Sequence, residues 1–259
     1  VSERWAQLGS GLPTRWLGRP HEHHASIDST NERALAWAAQ GAGHGALVTA
    51  DRQTAGRGRR GRTWDSPAGV SLHATVVLRP TSTQPVAALG LAVAVGLREG
   101  LPVPVRLKWP NDLLVGGRKL GGILCEARWV DGAPQIAAGF GINLRVRPWP
   151  AELEGRATSL EEAGVDVSDA LALAVTVLAS LESALDEYLA GGFGAIRARY
   201  LPHCTALGQR VRIGDAEDPD ASELVTAVDL DEDGALLVRP RPGAGLRRVE
   251  AADVWLADR

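Results

Sequence analysis

Methionine is absent from all 259 residues, position 1 included, so the numbering need not begin at the natural start. Cysteine occurs twice, at Cys125 and Cys204, which excludes a disulfide framework, a CxxC pair and a cysteine metal cluster. Cys125 lies inside an apolar run and reads as a small core residue. Long apolar runs are missing too: the longest, 86–97 and 170–181, are 12 residues each, short of the ~20 that span a bilayer. The first 25 residues hold Arg4, Arg15, Arg19 and His21 without an apolar stretch, so no signal peptide is read and a cytoplasmic location is expected. Neither GxxxxGK[ST] nor a Rossmann-type GxGxxG leading from a strand into a helix is present, so a nucleotide, if bound, is bound in another way. There is no internal repeat and no low-complexity segment.

What remains is an ordinary globular composition, 45% hydrophobic and 23% charged. The length suits one large or two modest domains. A net charge of -3, with two tyrosines and two phenylalanines, argues against general nucleic-acid binding, so any anion must meet a local basic patch. That patch is the stretch 52–69, where Arg57, Arg59, Arg60 and Arg62 alternate with Gly56, Gly58 and Gly61. Glycine lets backbone approach a ligand, and guanidinium matches carboxylate or phosphate. A solvated basic loop explains the same residues equally well.

The stretch lies between two runs with strand texture, 46–51 and 70–79. Before them, residues 1–25 read as short, polar and broken, with His21, His23 and His24 solvated rather than metal-bound. Ser29 and Glu32 have capping-box spacing for a helix over 29–39; the Ser29, Thr30 and Asn31 side chains also suit a polar pocket wall. Residues 85–100 predict a buried helix ended by Gly100 and Pro102. A strand over 105–109 leads into Lys108-Trp-Pro-Asn-Asp112, with turn chemistry at 110–112. Gly116-Gly117 reads as a hairpin tip, followed by strands over 119–129 and 135–144, the second placing Gly139 and Gly141 on one face. Residues 145–158 read as a flexible loop and 159–164 as a helical turn. A long helix is capped by Ser168 and a further one covers 193–201. Five short alternating runs from about residue 205 read as a small β-barrel, with a tight turn at 231–234.

Five ordered motifs carry a resemblance: Asp28-Ser-Thr-Asn31, Gln53-Thr-Ala-Gly-Arg-Gly-Arg-Arg-Gly-Arg62 with Trp64, Lys108-Trp-Pro-Asn-Asp112, Arg118-Lys-Leu-Gly-Gly-Ile-Leu124 and Gly139-Phe-Gly-Ile-Asn143. Together they strongly resemble the biotin protein ligases over roughly residues 25–256. The resemblance implies an α/β (α+β) fold: a mixed-sheet catalytic domain of the class II synthetase/biotin–lipoyl ligase type over 1–204 (core about 25–204), then an SH3-like domain over 205–259. It implies a reaction of biotin with ATP and Mg2+ to biotinyl-5′-AMP, then transfer to a lysine of a biotin carboxyl carrier protein domain of acetyl-CoA or a similar acyl-CoA carboxylase. It also implies site residues. Ser29, Thr30, Asn31, Gln53, Arg57, Gly58, Arg59, Lys119, Gly122 and Gly139 would face biotin. Arg59, Arg62, Trp64, Lys119 and Asn143 would face the nucleotide. Arg57, Arg59, Lys119 and Asp112 would carry the chemistry, with Asp112 toward the acceptor lysine, and no metal ligand is assigned. About 25 residues precede Ile27, too few for the winged helix-turn-helix of bifunctional members, so the expectation is a monofunctional form without operator binding; a homodimer is left open.

Two other readings compete. A lipoate ligase or octanoyltransferase shares the fold, but lacks the Lys-Trp-Pro-Asn-Asp and GRGRRG pair. A nucleic-acid-binding module would use the arginine loop on phosphates and the barrel as a platform.

Overall fold

The computed structural model describes residues 5–64, 67–80, 86–215, 218–250 and 252–256. Arg4 in the N-terminal segment, Asp65 and Ser66 of the basic stretch and Pro85 at the expected helix start lie outside the described residues.

Alternating apolar positions produce a seven-stranded sheet: β1 (His21–His24), β2 (Leu47–Ala50), β3 (Ser71–Leu78), β4 (Arg106–Lys108), β5 (Asp112–Val115), β6 (Arg118–Val130) and β7 (Ala133–Asn143), in the order β1-β2-β3-β7-β6-β5-β4. The β1–β2 pair is parallel and the other neighbours are antiparallel, so the sheet is mixed. Gly116 and Gly117 take positive φ at the β5–β6 tip, as the dipeptide predicts. Strand β1 corrects the reading of 1–25 as broken and solvated. His21 Nε2 and His23 Nδ1 lie 2.8 and 3.0 Å from the one Thr49 hydroxyl. Burial holds the His21 pKa at about 4.

Because strand side chains alternate, each strand serves two environments. Leu72, Ala74, Val76, Leu78, Ile136, Ala138, Phe140 and Ile142 enter a large apolar core on one face. That core is completed by α2 (Val86–Gly100) and α3 (Ala170–Tyr200), helices labelled here after α1 (Thr30–Ala39). Helix α3 breaks at Gly192 (φ 66, ψ -161), so it is two helical pieces, as the sequence suggests. Its cap sits one residue later than expected. Asp169, not Ser168, accepts from the Ala172 N–H at 3.2 Å, since a carboxylate is the stronger acceptor at a helix start. The other sheet face carries α1 over a small cluster that includes Val48, Val77 and Ala137.

A second, antiparallel sheet holds β8 (Arg210–Asp215), β9 (Asp218–Leu230), β10 (Leu236–Arg239), β11 (Arg247–Val249) and β12 (Asp253–Leu256), ordered β11-β10-β9-β8-β12. Asp231 Oδ1 accepts from the Asp233 and Ala235 N–H groups and forms the tight turn before β10. Buried Trp109 ties the two sheets: its Nε1–H donates to the Gly234 carbonyl at 3.0 Å.

Candidate active site

Ser29, Thr30 and Asn31 begin α1 and are buried. Ser29 has the extended backbone of an N-cap, but its side chain makes no capping bond. The capping box is absent because Glu32 faces elsewhere, bonded to Arg57 at 2.7 Å and Arg128 at 2.6 Å. Charge-assisted pairs with two guanidiniums outweigh one bond to a backbone N–H.

Thr30 and Asn31 belong to a closed polar network. Gln53 Oε1 accepts from the Thr30 backbone N–H at 2.9 Å and its hydroxyl at 3.1 Å. Thr75 donates to Asn31 Oδ1 at 2.7 Å, and Asn31 Nδ2 donates to the Leu124 carbonyl and to Glu126 Oε2 at 2.8 Å. Gly139 is required here: a Cβ on it would lie 1.9 Å from Asn31 Oδ1. The structure therefore places Asn31 and Gly139 against each other as a packed wall.

Two residues further along β7, Gly141 serves a different neighbour. A Cβ there would lie 2.7 Å from the Trp64 indole, and one on Gly122 would lie 3.1 Å from it and 3.5 Å from Lys119 Nζ. Trp64 thus rests on a glycine floor, and Lys119 Nζ stands 5.6 Å from its ring centroid, within cation–π range. Lys119 Nζ also meets Asp112 Oδ1 at 2.6 Å, and Lys108 approaches Asp112 Oδ2 at 3.9 Å. Burial pulls the Lys108 pKa down, Asp112 opposes that, and Lys119 adds to it. One carboxylate therefore sits between two ammoniums at the β4–β5–β6 end of the sheet. A cavity of about 420 Å³ opens beside this floor, lined by Arg52, Gln53, Thr63 and Trp64 among others.

The basic stretch is an ordered hairpin. Gly58 N–H donates to the Arg62 carbonyl at 2.6 Å and Trp64 N–H to the Gly56 carbonyl at 2.9 Å, around a 3-10 turn at Arg59–Gly61. Arg57 Nη2 meets Glu126 Oε2 at 2.8 Å. Arg62 Nη2 meets Asp253 Oδ1 at 2.9 Å. Arg59 Nη1 is buried with no hydrogen-bond partner among the described residues, and burial pulls the Arg59 pKa down while Asp253 pushes it up.

The loop at 145–158 is held at several points. Asn143 Nδ2 donates to the Thr158 carbonyl at 3.0 Å, and Lys119 exchanges backbone bonds with Arg156 and Thr158 at 2.8 and 2.9 Å. Trp149 Nε1–H donates to Glu162 at 3.0 Å, with the Arg147 guanidinium 4.5 Å from its ring.

The structure thus gathers Gln53, Trp64, Asp112, Lys119, Gly122 and the Thr30–Asn31–Gly139 wall on one sheet face. Arg57 and Arg62 are occupied by carboxylates, and Asn143 binds backbone. Sequence reasoning missed Glu126, Thr75, Lys108 and Asp253. Lys108 stands within a quoted motif and Glu126 lies two residues past the end of another; nothing local marks Thr75 or Asp253. The set can draw anionic groups onto a glycine floor. Burial pushes the Cys125 thiol up to about 12, away from the thiolate form.

The sequence profile of the Biotin/lipoate A/B protein ligase family matches residues 24–143. The biotin--[acetyl-CoA-carboxylase] ligase of Paracoccus denitrificans is 38% identical over 247 residues, covering 89% of this chain and 98% of that one. The bifunctional ligase/repressor BirA of Bacillus subtilis is 32% identical over 259 residues, covering 97% of this chain and 78% of its own. Among solved structures, the biotin protein ligase of Aquifex aeolicus in complex with biotin and ATP superposes with a TM-score of 0.76 at 28% identity, covering 92% of this chain and all of that one. With the motifs, the fold and such relatives in agreement, the chain belongs to the biotin protein ligase family.

Proposed function

We propose that this chain activates biotin with ATP to biotinyl-5′-AMP and transfers the biotinyl group to one lysine of a biotin carboxyl carrier domain. The observation that carries this reading is the Lys119–Asp112 pair at 2.6 Å beside the Trp64-covered glycine floor. A biotin carboxylate oxygen attacks the α-phosphorus, the bond to the β-phosphate oxygen breaks, and pyrophosphate leaves. Two anions must meet for this step, so cations lower its barrier. Lys119 takes the carboxylate and α-phosphate, with Arg59 and Arg57 beside it. Ser29, Thr30, Asn31 and Gln53 bound the biotin head, Gly122 and Gly139 keep the wall close, and Gly58 lets the loop approach. Arg62, Trp64 and Asn143 lie on the nucleotide side. In the second step the lysine nitrogen attacks the acyl carbon, AMP leaves, and Asp112 orients the amine or takes its proton.

Mg2+ enters as part of the ATP substrate, whose phosphates supply oxygen ligands to it. The chemistry belongs to residues 1–204, with 205–259 as an SH3-like domain, in a cytoplasmic enzyme. No helix among the described residues is long and apolar enough to cross a membrane.

The test is incubation of the chain with biotin, Mg-ATP and a purified carrier domain from acetyl-CoA carboxylase. Biotin-dependent pyrophosphate release and a one-biotinyl mass gain on the carrier are expected. Activity with lipoate in place of biotin, or none with biotin, would overturn the reading.

A further inference from the structure

The C-terminal sheet reaches the basic hairpin through one rung of its ladder. Asp253 on β12 pairs with Gly214 on β8, and both ends of that rung bind the hairpin. Asp253 Oδ1 lies 2.9 Å from Arg62 Nη2 and its Oδ2 lies 3.6 Å from Arg60 Nη1, while Arg60 Nη1 also donates to the Gly214 carbonyl at 3.2 Å. The Asp253 side chain is only 13% exposed, against 32% for Arg60 and 43% for Arg62, so the carboxylate end of the contact is sheltered while the guanidiniums reach solvent. Arg60 itself holds φ 57 and ψ 37, a left-handed conformation that is strained for a non-glycine residue unless its surroundings hold it. Gripping the Arg60 and Arg62 side chains from the neighbouring sheet does so. Arg59 stands at the start of that turn with its buried Nη1 unpartnered among the described residues, the one described arginine of the hairpin left with such a nitrogen.

We propose that Asp253 is a positioning residue for adenylate formation: by holding Arg60 and Arg62 it fixes the turn that presents Arg59 to the nucleotide phosphate. The inference rests on the proposed reaction and adds to it a part for the C-terminal sheet, which otherwise lies behind the chemistry.

The experiment compares the full wild-type chain with Asp253→Asn, which keeps the shape and removes the charge. Amide hydrogen exchange over 57–64 is read without ligands, and KM for ATP and kcat of biotin-dependent pyrophosphate release are read with them. Exchange in 57–64 should accelerate about tenfold, and KM for ATP should rise about tenfold with kcat changed less than threefold. Asp253→Glu should recover part of both, which a purely structural residue would not show as a KM effect. Should Asp253→Asn fail to fold, Arg60→Gln, on the exposed side of the same contact, should give the same direction. Unchanged exchange in the folded variant overturns the anchor; a kcat loss with unchanged KM overturns the positioning role. Absence of pyrophosphate release by the wild-type chain overturns the reaction instead, and the ligand-free exchange reads separately from it.

Discussion

The two faces of the seven-stranded sheet come from the same strands, one residue out of step. On the helix-packed face β3 and β7 present leucine, valine, isoleucine and phenylalanine, all buried in one continuous core. On the α1 face the intervening residues are Ser71, His73, Thr75, Gly139, Gly141 and Asn143 at the site, with apolar Val77 and Ala137 only beneath α1. The first face is what hydrophobic burial selects, at roughly 1.5–3 kcal/mol for each large side chain. The second gives up that stabilisation for hydrogen bonds and empty Cβ positions. Pairing glycine with a residue that must come close, Asn31 at Gly139 and Trp64 at Gly141, leaves little free space while keeping the surface polar. Stability and chemistry are therefore divided by strand periodicity.

That division can be broken at graded cost. Lys119→Ala, on the polar face, should lower biotin transfer about 100-fold or more while the melting temperature hardly moves; near-normal transfer would remove Lys119 from the mechanism. Asp112→Asn should depress carrier transfer more than pyrophosphate release, and equal loss in both would argue against an acceptor-side role. His73 tests the same face by pH. Burial lowers its pKa from 6.5 to about 4, so the folded state stays neutral while the unfolded chain takes up a proton. Stability should fall as pH drops from 6.5 toward 4, on the order of 3 kcal/mol over that window, and His73→Gln should flatten that slope in thermal melts. Gly139→Ala forces a methyl onto Asn31 and should cost about 2 kcal/mol in urea unfolding; a neutral result would mean the wall gives way. Trp109→Phe removes the bond to Gly234 and should cost about 1 kcal/mol, with a larger loss pointing to a stronger coupling of the sheets.

Much of this architecture was legible in the chain. Period-two alternation marks β3 and β7, the Gly116-Gly117 pair marks the β5–β6 turn, and glycine near 192 separates the two pieces of α3. Where local chemistry competes with distant charge, the reading fails. Ser29 and Glu32 spell a capping box, but Arg57 and Arg128 take Glu32, and no window of a few residues contains both. Ser168 and Asp169 both suit a cap, and adjacency leaves the choice to geometry. Strand β1 went unseen because its histidines are polar in sequence and sheltered only once Thr49 pairs beside them. For the site, the motifs located the lysine, the glycines and the arginines. Their counter-charges were not legible: Glu126 lies 69 positions from Arg57 and Asp253 lies 191 from Arg62.

The contact between Lys119 and Asp112 has a consequence for timing. Lys119 and an acceptor amine would compete for the same carboxylate oxygens. On the proposed reaction, an incoming phosphate draws Lys119 away and leaves Asp112 open to the acceptor amine once the mixed anhydride has formed. A lysine arriving early would find that carboxylate taken, so the order of events is written into which partner the ammonium prefers.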